Sequence, residues 1–389
     1  MGLYKKNVIV RDLSSIGTAV QGNTQFALDL YQKLRTTEGN LIFSPYSIST
    51  VLAMTYTGAR GDTQVQMAQA IHFLLDQKQL PPAFALLESK LGEAGEKGNV
   101  QLRAANALWP QKGFPFLKEF LALTSKYFGV LITPVDYGNG EAARHTINAW
   151  VEERTESMIK DLIAPGMLDA LTRLVLVNAI YFKGDWASQF DRSRTSQEPF
   201  WAGSNGQVQV PMMTQKHKYR YGEGDDLQIL ELLYAGEDLS MIVLLPKETG
   251  GLAKLEDSLA VENLDRWTRN LELTEVVVSL PRFEATFPFR LDDTLKSMGM
   301  VDAFSGQADF SGMDGSQYLS IGAVLHKAFV AVNEQGTEAA AATSVVIQMK
   351  VLSFLTPPII FRADHPFVFL IRENSTGSIL FIGRVVNPA

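Results

Sequence analysis

One run of residues, 174–182, constrains the fold of this chain more than any other segment. Eight of these nine residues are apolar, and the exception is Asn178. A strand that is apolar on both faces has to be covered on both sides, which is the environment of a central strand in a layered structure. A chain of 389 residues is long enough to bury such a strand in a large core. The run therefore predicts a strand that is buried on both faces.

Helical patterns fill the chain before this strand, and strand patterns dominate after it. Apolar residues at helical spacing predict a helix that begins near Asn23, with that residue as its cap, and further helices over 47–56, 63–71, 83–91 and 141–162. A strand is predicted over 100–109, and later strands over 227–233, 239–245, 276–280, 323–332, 367–371 and 379–386. Helices first and strands later, without a repeat or a linker, indicate one α+β domain over 23–389 after an N-terminal extension over 1–22.

Composition and charge exclude several classes of function. A net charge of −7 argues against a nucleic-acid or membrane-surface partner. The absence of cysteine excludes disulfides, thiol catalysis and zinc–thiolate sites. The first 22 residues lack the apolar core of a signal peptide. We expect either a cytoplasmic protein or a protein whose leader has been removed, and we favour an extracellular location.

Motifs of enzymes and cofactor sites are weak in this chain. Residues 138–143 match the dinucleotide pattern G-x-G-x-x-A, but no Asp or Glu lies at the end of a predicted strand about 20 residues on, as ribose binding would need. We interpret this segment as a turn that enters a helix, and the pair Asp292–Asp293 as a helix N-terminus. The five histidines lack ligand spacing. We therefore predict no catalytic residue, no metal and no cofactor.

The segment after Gly336 does not fit a packed core. It reads GTEAAAAT over 336–343, continues with β-branched and apolar residues, and ends in Pro357-Pro358. Proline pairs are rare in central strands. The segment predicts a long exposed loop whose first half is able to form a strand, and an alanine-rich disordered linker is the alternative.

Five segments, in this order along the chain, resemble the serpin family of serine protease inhibitors. They are FSPYSIS at 43–49, VNAIYFKGDW at 177–186, LHKAFVAVNEQGTEAAAAT at 325–343, ADHPFVFLIR at 363–372 and FIGRVVNP at 381–388. The resemblance runs from about Asn23 to Pro388. It implies a serpin fold of three β-sheets with eight or nine helices and an exposed reactive-centre loop at about 336–358.

The resemblance also implies a function and a partner. In serpins a serine protease attacks the loop and forms a covalent acyl complex, and the cut loop then inserts into the main sheet as a new strand. We therefore expect an inhibitor of serine endopeptidases, and a monomer. A non-inhibitory serpin that acts as a carrier or chaperone is the alternative, and an unrelated hydrolase is less well supported.

Insertion places a chemical demand on the loop, because alternate side chains of an inserted strand are buried. One parity of the hinge, which the family places inward, holds uncharged residues that are small or β-branched, while Glu338 lies on the other parity. A charge on the inward parity would cost several kcal/mol to desolvate. Gly336 suits the bend where the loop leaves its strand. The predicted hinge residues are Glu334, Gly336, Thr337, Glu338, Ala339, Ala340, Ala341, Ala342 and Thr343.

Two further groups of residues match the family by position. The first is a polar cluster beneath the sheet, the shutter, where strands must part: Ser44, Ser47, Asn178 and His326. The second is the breach, where the loop first enters: Glu334, Arg282 and Trp186. The resemblance predicts an ion pair between Glu334 and Arg282, and ordinary packing or surface charge is the alternative for each of these residues.

The reactive bond is predicted from the family's spacing. The residue fourteen positions beyond Gly336 is Lys350, which places the bond between Lys350 and Val351. A lysine at this position suits trypsin-like proteases, whose specificity pocket carries an aspartate. The segment up to Pro366 is longer than in many serpins, so the register stays open within 349–353. Met349 or Leu352 would instead suit elastase-like or chymotrypsin-like enzymes.

Asn374-Ser-Thr376 is a glycosylation sequon, which matters only in a eukaryotic secretory route.

Overall fold

Helices fill most of the first 154 residues. A computed structural model describes residues 2–98, 100–130, 132–203, 206–224, 226–337 and 358–389, with the backbone alone for residues 2–13. The helices among these residues are α1 (Gly2–Leu34), α2 (Pro45–Tyr56), α3 (Gly61–Ala70), α4 (Leu80–Gly98), α5 (Lys118–Phe128), α6 (Gly140–Arg154), α7 (Leu252–Ser258), α8 (Val261–Arg269), α9 (Asp292–Ser297) and α10 (Ser311–Asp314).

Strands make up most of the second half. They are β1 (Leu41–Phe43), β2 (Gln101–Pro110), β3 (Leu174–Asp185), β4 (Ser196–Trp201), β5 (Gln207–Glu223), β6 (Leu227–Leu233), β7 (Leu239–Pro246), β8 (Glu272–Pro281), β9 (Phe283–Arg290), β10 (Ala323–Val332), β11 (Gly336–Thr337), β12 (Ile359–Arg362), β13 (Phe367–Glu373) and β14 (Ile379–Val385).

These strands form two hydrogen-bonded sheets. The main sheet has the order β2-β3-β11-β10-β9, with β3 also paired to β10. The second sheet has the order β1-β14-β13-β7-β6-β5-β8-β12, with β4 paired to β5. The 17-residue β5 pairs with β4 near its start and with β6 near its end. The three sheets that the family resemblance implies are therefore connected into two networks, because β5 runs continuously through two of them.

Strand β3 is buried on both faces, as the sequence predicts. Its odd-numbered residues Val175 and Val177 pack in one apolar cluster with Ile147 of α6, and its even-numbered residues pack in another cluster that includes α2. Alternate side chains of a strand point to opposite faces, so helices cover β3 on both sides. Asn178 shares the parity of Leu176 and so points toward α2.

Strands β3 and β10 run parallel, and a short strand separates their C-terminal ends, which we call the top of the sheet. Residues 175–182 of β3 pair with Ala323–Val330 of β10 in continuous register. Beyond them, Thr337 of β11 pairs with both Gly184 and Val332, antiparallel to each strand. We call the directly paired part the seam and β11 the wedge. The seam is where an additional strand would have to enter.

Three predicted helix ends were wrong. Helix α1 begins at Gly2 rather than near Asn23, because the buried stripe of Ile16, Ala19 and Val20 continues the apolar face upstream. Asn23 is not a cap but lies within this helix and donates to the carbonyl of Ile379 at 3.2 Å.

Helix α4 continues to Gly98 because Leu91 and Ala94 keep its face buried. Helix α6 ends at Arg154 instead of continuing to residue 162. Glu156 and Ser157 just beyond it have positive φ, which terminates a helix.

A buried ionic cluster connects α1, α7 and β14. The guanidinium of Arg384 donates to Glu256 Oε1 at 2.8 Å, and the hydroxyl of Tyr31 donates to the same oxygen at 2.8 Å. Arg384 also donates to the carbonyls of Arg35 and Gly39, which follow the end of α1. Burial and the neighbouring carboxylate raise the pKa of the Tyr31 hydroxyl. The cluster therefore satisfies two carbonyls of the loop after α1 and one buried carboxylate together.

We predict that R384M destabilises the protein by about 3–5 kcal/mol, because Glu256 would keep a buried charge without its partner. The measurement is the free energy of unfolding in urea. The double variant E256Q/R384M should recover part of the loss. R35M, which removes an exposed pair with Asp257, is the control and should change stability by less than about 1 kcal/mol. Equal losses for R384M and R35M would contradict the prediction.

Candidate functional site

The site lies where the chain reverses from β10 into the wedge. The amide of Asn333 donates to the carbonyl of Gly336 at 2.8 Å, and the amide of Gly336 donates back at 3.2 Å. Gly336 has φ +154°, and a Cβ there would lie 2.0 Å from the carbonyl oxygen of Gly184. This contact is with the backbone of β3 and cannot be relieved by turning a side chain. A glycine is therefore required for the wedge to enter between the strands.

Thr337, the last residue of the wedge, points into an aromatic pocket. It is fully buried, and its hydroxyl lies 2.9 Å from the hydroxyl of Tyr234. The ring of Tyr234 stacks on Trp186 with centroids 4.6 Å apart. Trp186 in turn donates from Nε1 to the carbonyl of Asn333 at 3.0 Å. Two aromatic rings therefore support both the turn and the first inward side chain.

A buried carboxylate holds the turn from the other side. Nε of Arg282 donates to Glu334 Oε1 at 2.7 Å, and Thr195 donates to the same oxygen at 2.5 Å. Burial would raise the pKa of Glu334, but the hydrogen bonds from Arg282 and Thr195 outweigh it and hold this pKa below its usual value. The ion pair expected between Glu334 and Arg282 is present. The carboxylate stays ionised and fixes the start of the turn.

A polar network crosses the seam farther down. Asn178 of β3 and His326 of β10 are directly paired in register, and their side chains are hydrogen-bonded. Nδ2 of Asn178 donates to Ser47 Oγ at 2.5 Å and also to the side chain of Asn106. Ser47 Oγ donates to Asn106 Oδ1 at 3.1 Å, and its amide donates to Ser44 Oγ at 3.1 Å. The network therefore connects β2, β3, β10 and α2.

The protonation of His326 follows from its neighbours. The amide of Ser44 donates to Nε2 of His326 at 3.1 Å, so this nitrogen carries no proton. Nδ1 therefore carries the proton and donates it to Oδ1 of Asn178. Burial lowers the pKa of His326 from 6.5 to about 3, which keeps the ring neutral near pH 7. A second proton would place an N–H against the N–H of Ser44.

The structure brings together both groups of residues that the family resemblance predicts. The four shutter residues form one network, and Glu334, Arg282 and Trp186 surround the turn. The reactive bond Lys350–Val351, its alternatives Met349 and Leu352, and hinge residues 338–343 lie outside the described residues.

Three residues of the site were missed from the sequence: Asn106, Thr195 and Tyr234. Asn106 is a single polar residue in an otherwise apolar part of β2, which was an available signal. Thr195 precedes β4, and Tyr234 follows β6 in the turn that leads to β7. Neither position carries a pattern that indicates a contact with residues more than 100 positions away.

Other sequence interpretations have clear outcomes. Residues Tyr137–Asn139 form a single 3₁₀ turn that leads into α6, as the helix-entry interpretation requires. Helix α9 begins at Asp292, as predicted. Nδ2 of Asn374, the atom that would carry a glycan, donates to the carbonyl of Glu237 at 2.8 Å.

The described residues contain neither a metal-binding cluster nor a membrane-spanning helix. No group of three His, Cys, Asp or Glu residues is arranged to hold a metal ion within the ranges that the structure covers. Across the same ranges, no helix combines the length and apolarity needed to cross a bilayer.

Comparison with known proteins gives a consistent result. A family model described as serpin (serine protease inhibitor) matches residues 21–388. Leukocyte elastase inhibitor of Homo sapiens is 44% identical over 378 residues, which cover 94% of this chain and 98% of that protein. Serpin48 of the insect Tenebrio molitor superposes with a TM-score of 0.85 at 32% identity, covering 95% of this chain and 98% of that one. Human thyroxine-binding globulin superposes with a TM-score of 0.87 at 32% identity, covering 96% of this chain and 100% of that one.

We predict that protonation of His326 makes stability depend on pH. The unfolded chain binds this proton near pH 6.5, and the folded protein binds it only near pH 3. The stabilisation is therefore complete above pH 6.5 and falls by about 1.4 kcal/mol for each pH unit below it. The free energy of unfolding should be measured in urea between pH 7.5 and about 5, where few carboxylates titrate. The slope of this free energy against pH should be shallower in H326Q by the equivalent of about one proton. Equal slopes in the two proteins would refute the assignment of this proton to His326.

Proposed function

The chain belongs to the serpin family, and on that premise we propose that it inhibits serine endopeptidases as a suicide substrate. The protease serine attacks the carbonyl carbon of Lys350, the amine of Val351 leaves with a proton, and an acyl ester joins the two proteins. The loop, over about 336–358, then inserts into the seam before water hydrolyses the ester. In this proposal the chain is a monomer and has no catalytic residue or cofactor of its own. Residues 23–389 form a single domain.

The wedge is the observation that carries this proposal. Thr337 already pairs antiparallel with Gly184 of β3 and Val332 of β10. Continuing this strand would replace one parallel ladder, over residues 175–182, by two antiparallel ladders. Antiparallel pairing is slightly more stable for each residue, and the number of backbone hydrogen bonds rises. Insertion is therefore favourable once the loop has a free end.

The inward side chains support the same direction of reaction. Thr337 is buried beside Tyr234. The inward positions that follow are uncharged and small or β-branched: Ala339, Ala341, Thr343, Val345 and Ile347. None of them brings a charge that would have to be desolvated on insertion. A carrier serpin has no such requirement, so the sequence of this loop favours the inhibitor.

The target class follows from the residue before the cleaved bond. Lys350 favours trypsin-like proteases, whose specificity pocket carries an aspartate. A second candidate is an elastase-like or chymotrypsin-like protease, which would cut after Met349 or Leu352. The name of the human relative, leukocyte elastase inhibitor, favours this second candidate. The two candidates differ in where the released C-terminal peptide begins.

We predict that the protein and trypsin form a complex of their summed mass that survives SDS, and that A339E abolishes it. Thr337 is already buried before cleavage, so position 339 is the next inward position of the proposed strand. Insertion would have to bury its carboxylate at a cost of several kcal/mol, which would slow insertion and let deacylation finish first. A339E should still be cut. E338Q, on the outward parity, is the matched control and should keep the complex. Mass spectrometry of the released peptide should show Val351 as its first residue.

Clean cleavage of the unsubstituted protein, with protease left fully active, would instead support a carrier. The same gel with pancreatic elastase identifies the second target class.

We also predict that cleavage in the loop raises the melting temperature sharply, because the inserted strand replaces one parallel ladder of the main sheet by two antiparallel ladders. The measurement is thermal unfolding followed by circular dichroism before and after limited proteolysis. Cleaved A339E is the control and should melt near uncleaved A339E, because its loop stays out. An unchanged melting temperature for the cleaved unsubstituted protein would count against insertion.

A further inference from the structure

One face of the second sheet is open to solvent and carries alternating basic residues. Lys216, Lys218 and Arg220 of β5 are paired in register with Val277, Glu275 and Leu273 of β8, and Ile360 of β12 is paired with Val277. Residues paired in register point to the same side of a sheet. We call this set of seven residues the β5–β8 face: Lys216, Lys218, Arg220, Leu273, Glu275, Val277 and Ile360.

The β5–β8 face exposes two large apolar side chains to solvent. Leu273 is 69% exposed and Ile360 is 60% exposed. On the opposite side of β5, Tyr219 and Tyr221 are buried in the core. The three basic residues of β5 therefore lie beside apolar area that water covers in the isolated protein. A mixed basic and apolar surface of this kind suits a protein partner.

The charges on this face are not balanced. Lys216 pairs with Glu275 at 2.8 Å, and Arg220 pairs with Glu231 at 3.1 Å. Glu231 is buried and also binds Arg372. Lys218 forms no ion pair with any residue that the structure describes. The face is thus locally positive in a chain whose net charge is −7.

The face lies within reach of a protease bound at the reactive bond. Ile360 lies ten positions after Lys350, and an extended chain spans at most about 3.6 Å for each position, so the two lie within about 36 Å of each other. A protease domain of about 230 residues has a radius of gyration near 17 Å, which makes it roughly 45 Å across. The body of the bound protease therefore extends over distances that include this face.

We propose that the β5–β8 face is a second docking surface for the target protease, selecting proteases that present an acidic patch with exposed apolar side chains. This inference rests on the proposed inhibitory function. Leu273 and Ile360 distinguish a protein partner from a sulfated polysaccharide, which has no apolar surface to bury against them. Complementary charge acts mainly on the rate of association and weakens with salt. The face would therefore accelerate encounter and leave the later insertion step unchanged.

The test compares anionic and cationic trypsin, which share their specificity and differ in surface charge. Second-order rate constants of inhibition are measured for the unsubstituted protein and for K218E/L273S at 50 and 300 mM NaCl. K78E/L74S, which changes an exposed lysine and leucine between α3 and α4, is the matched control. Thermal melting checks that all variants fold.

The unsubstituted protein should inhibit anionic trypsin faster than cationic trypsin at low salt. K218E/L273S should lower the rate constant for anionic trypsin about tenfold at 50 mM NaCl and less at 300 mM. The stoichiometry of inhibition should stay unchanged, and K78E/L74S should behave as the unsubstituted protein.

Equal rate constants for all variants, with complexes still forming, would overturn the second docking surface and leave the inhibitor function intact. Absence of any SDS-stable complex would instead refute the function. In that case calorimetry with anionic trypsin, its nucleophilic serine replaced by alanine, still tests the face. Weaker binding by K218E/L273S supports it, and equal binding overturns it. Acceleration by heparin that is lost in K218E/L273S, with no change in its absence, would assign the face to a polyanion and also overturn it.

Discussion

The parallel pairing of β3 and β10 is the constraint on which the rest of the structure depends. These two strands are neighbours over eight register pairs, yet their ends are already parted by two residues of β11. The main sheet is thus complete in its lower part and open at its top. Each backbone hydrogen bond contributes about 0.5–1.5 kcal/mol net, so opening the whole seam costs on the order of 5–10 kcal/mol. A third strand that enters from the top can replace these bonds one by one.

Polar side chains decide how firmly the seam is closed. An apolar contact between β3 and β10 would tolerate small shifts, whereas the network around Asn178 and His326 has fixed directions and one proton arrangement. Its groups are buried and mutually satisfied, so breaking any one leaves an unpaired polar atom. At the top, Glu334 and Arg282 hold the turn without crossing the seam. The lower network therefore resists opening, while the upper contacts position the strand that enters.

The sequence predicted the main sheet well, because its central strands carry unambiguous apolar patterns. Strand β10 has the predicted bounds, and β3 was extended by only three residues. Strands β5 and β9 were missed, since their exposed faces mix charges and aromatic residues and hide the alternation. The polar cluster was identified through resemblance to a family. The place of its fifth member, Asn106, depends on the register between β2 and β3, which no local pattern contains.

The continuity of β5 has a mechanical consequence. Its 17 residues give a contour length of about 55 Å, and an extended backbone cannot stretch appreciably. One end pairs with β4 and the other with β6, so the two regions share a single inextensible tether. A force on the end that pairs with β4 is therefore transmitted along the strand to the end that pairs with β6. A substitution in the part of β5 that pairs with β4 therefore also acts on the part that pairs with β6, because one continuous strand belongs to both.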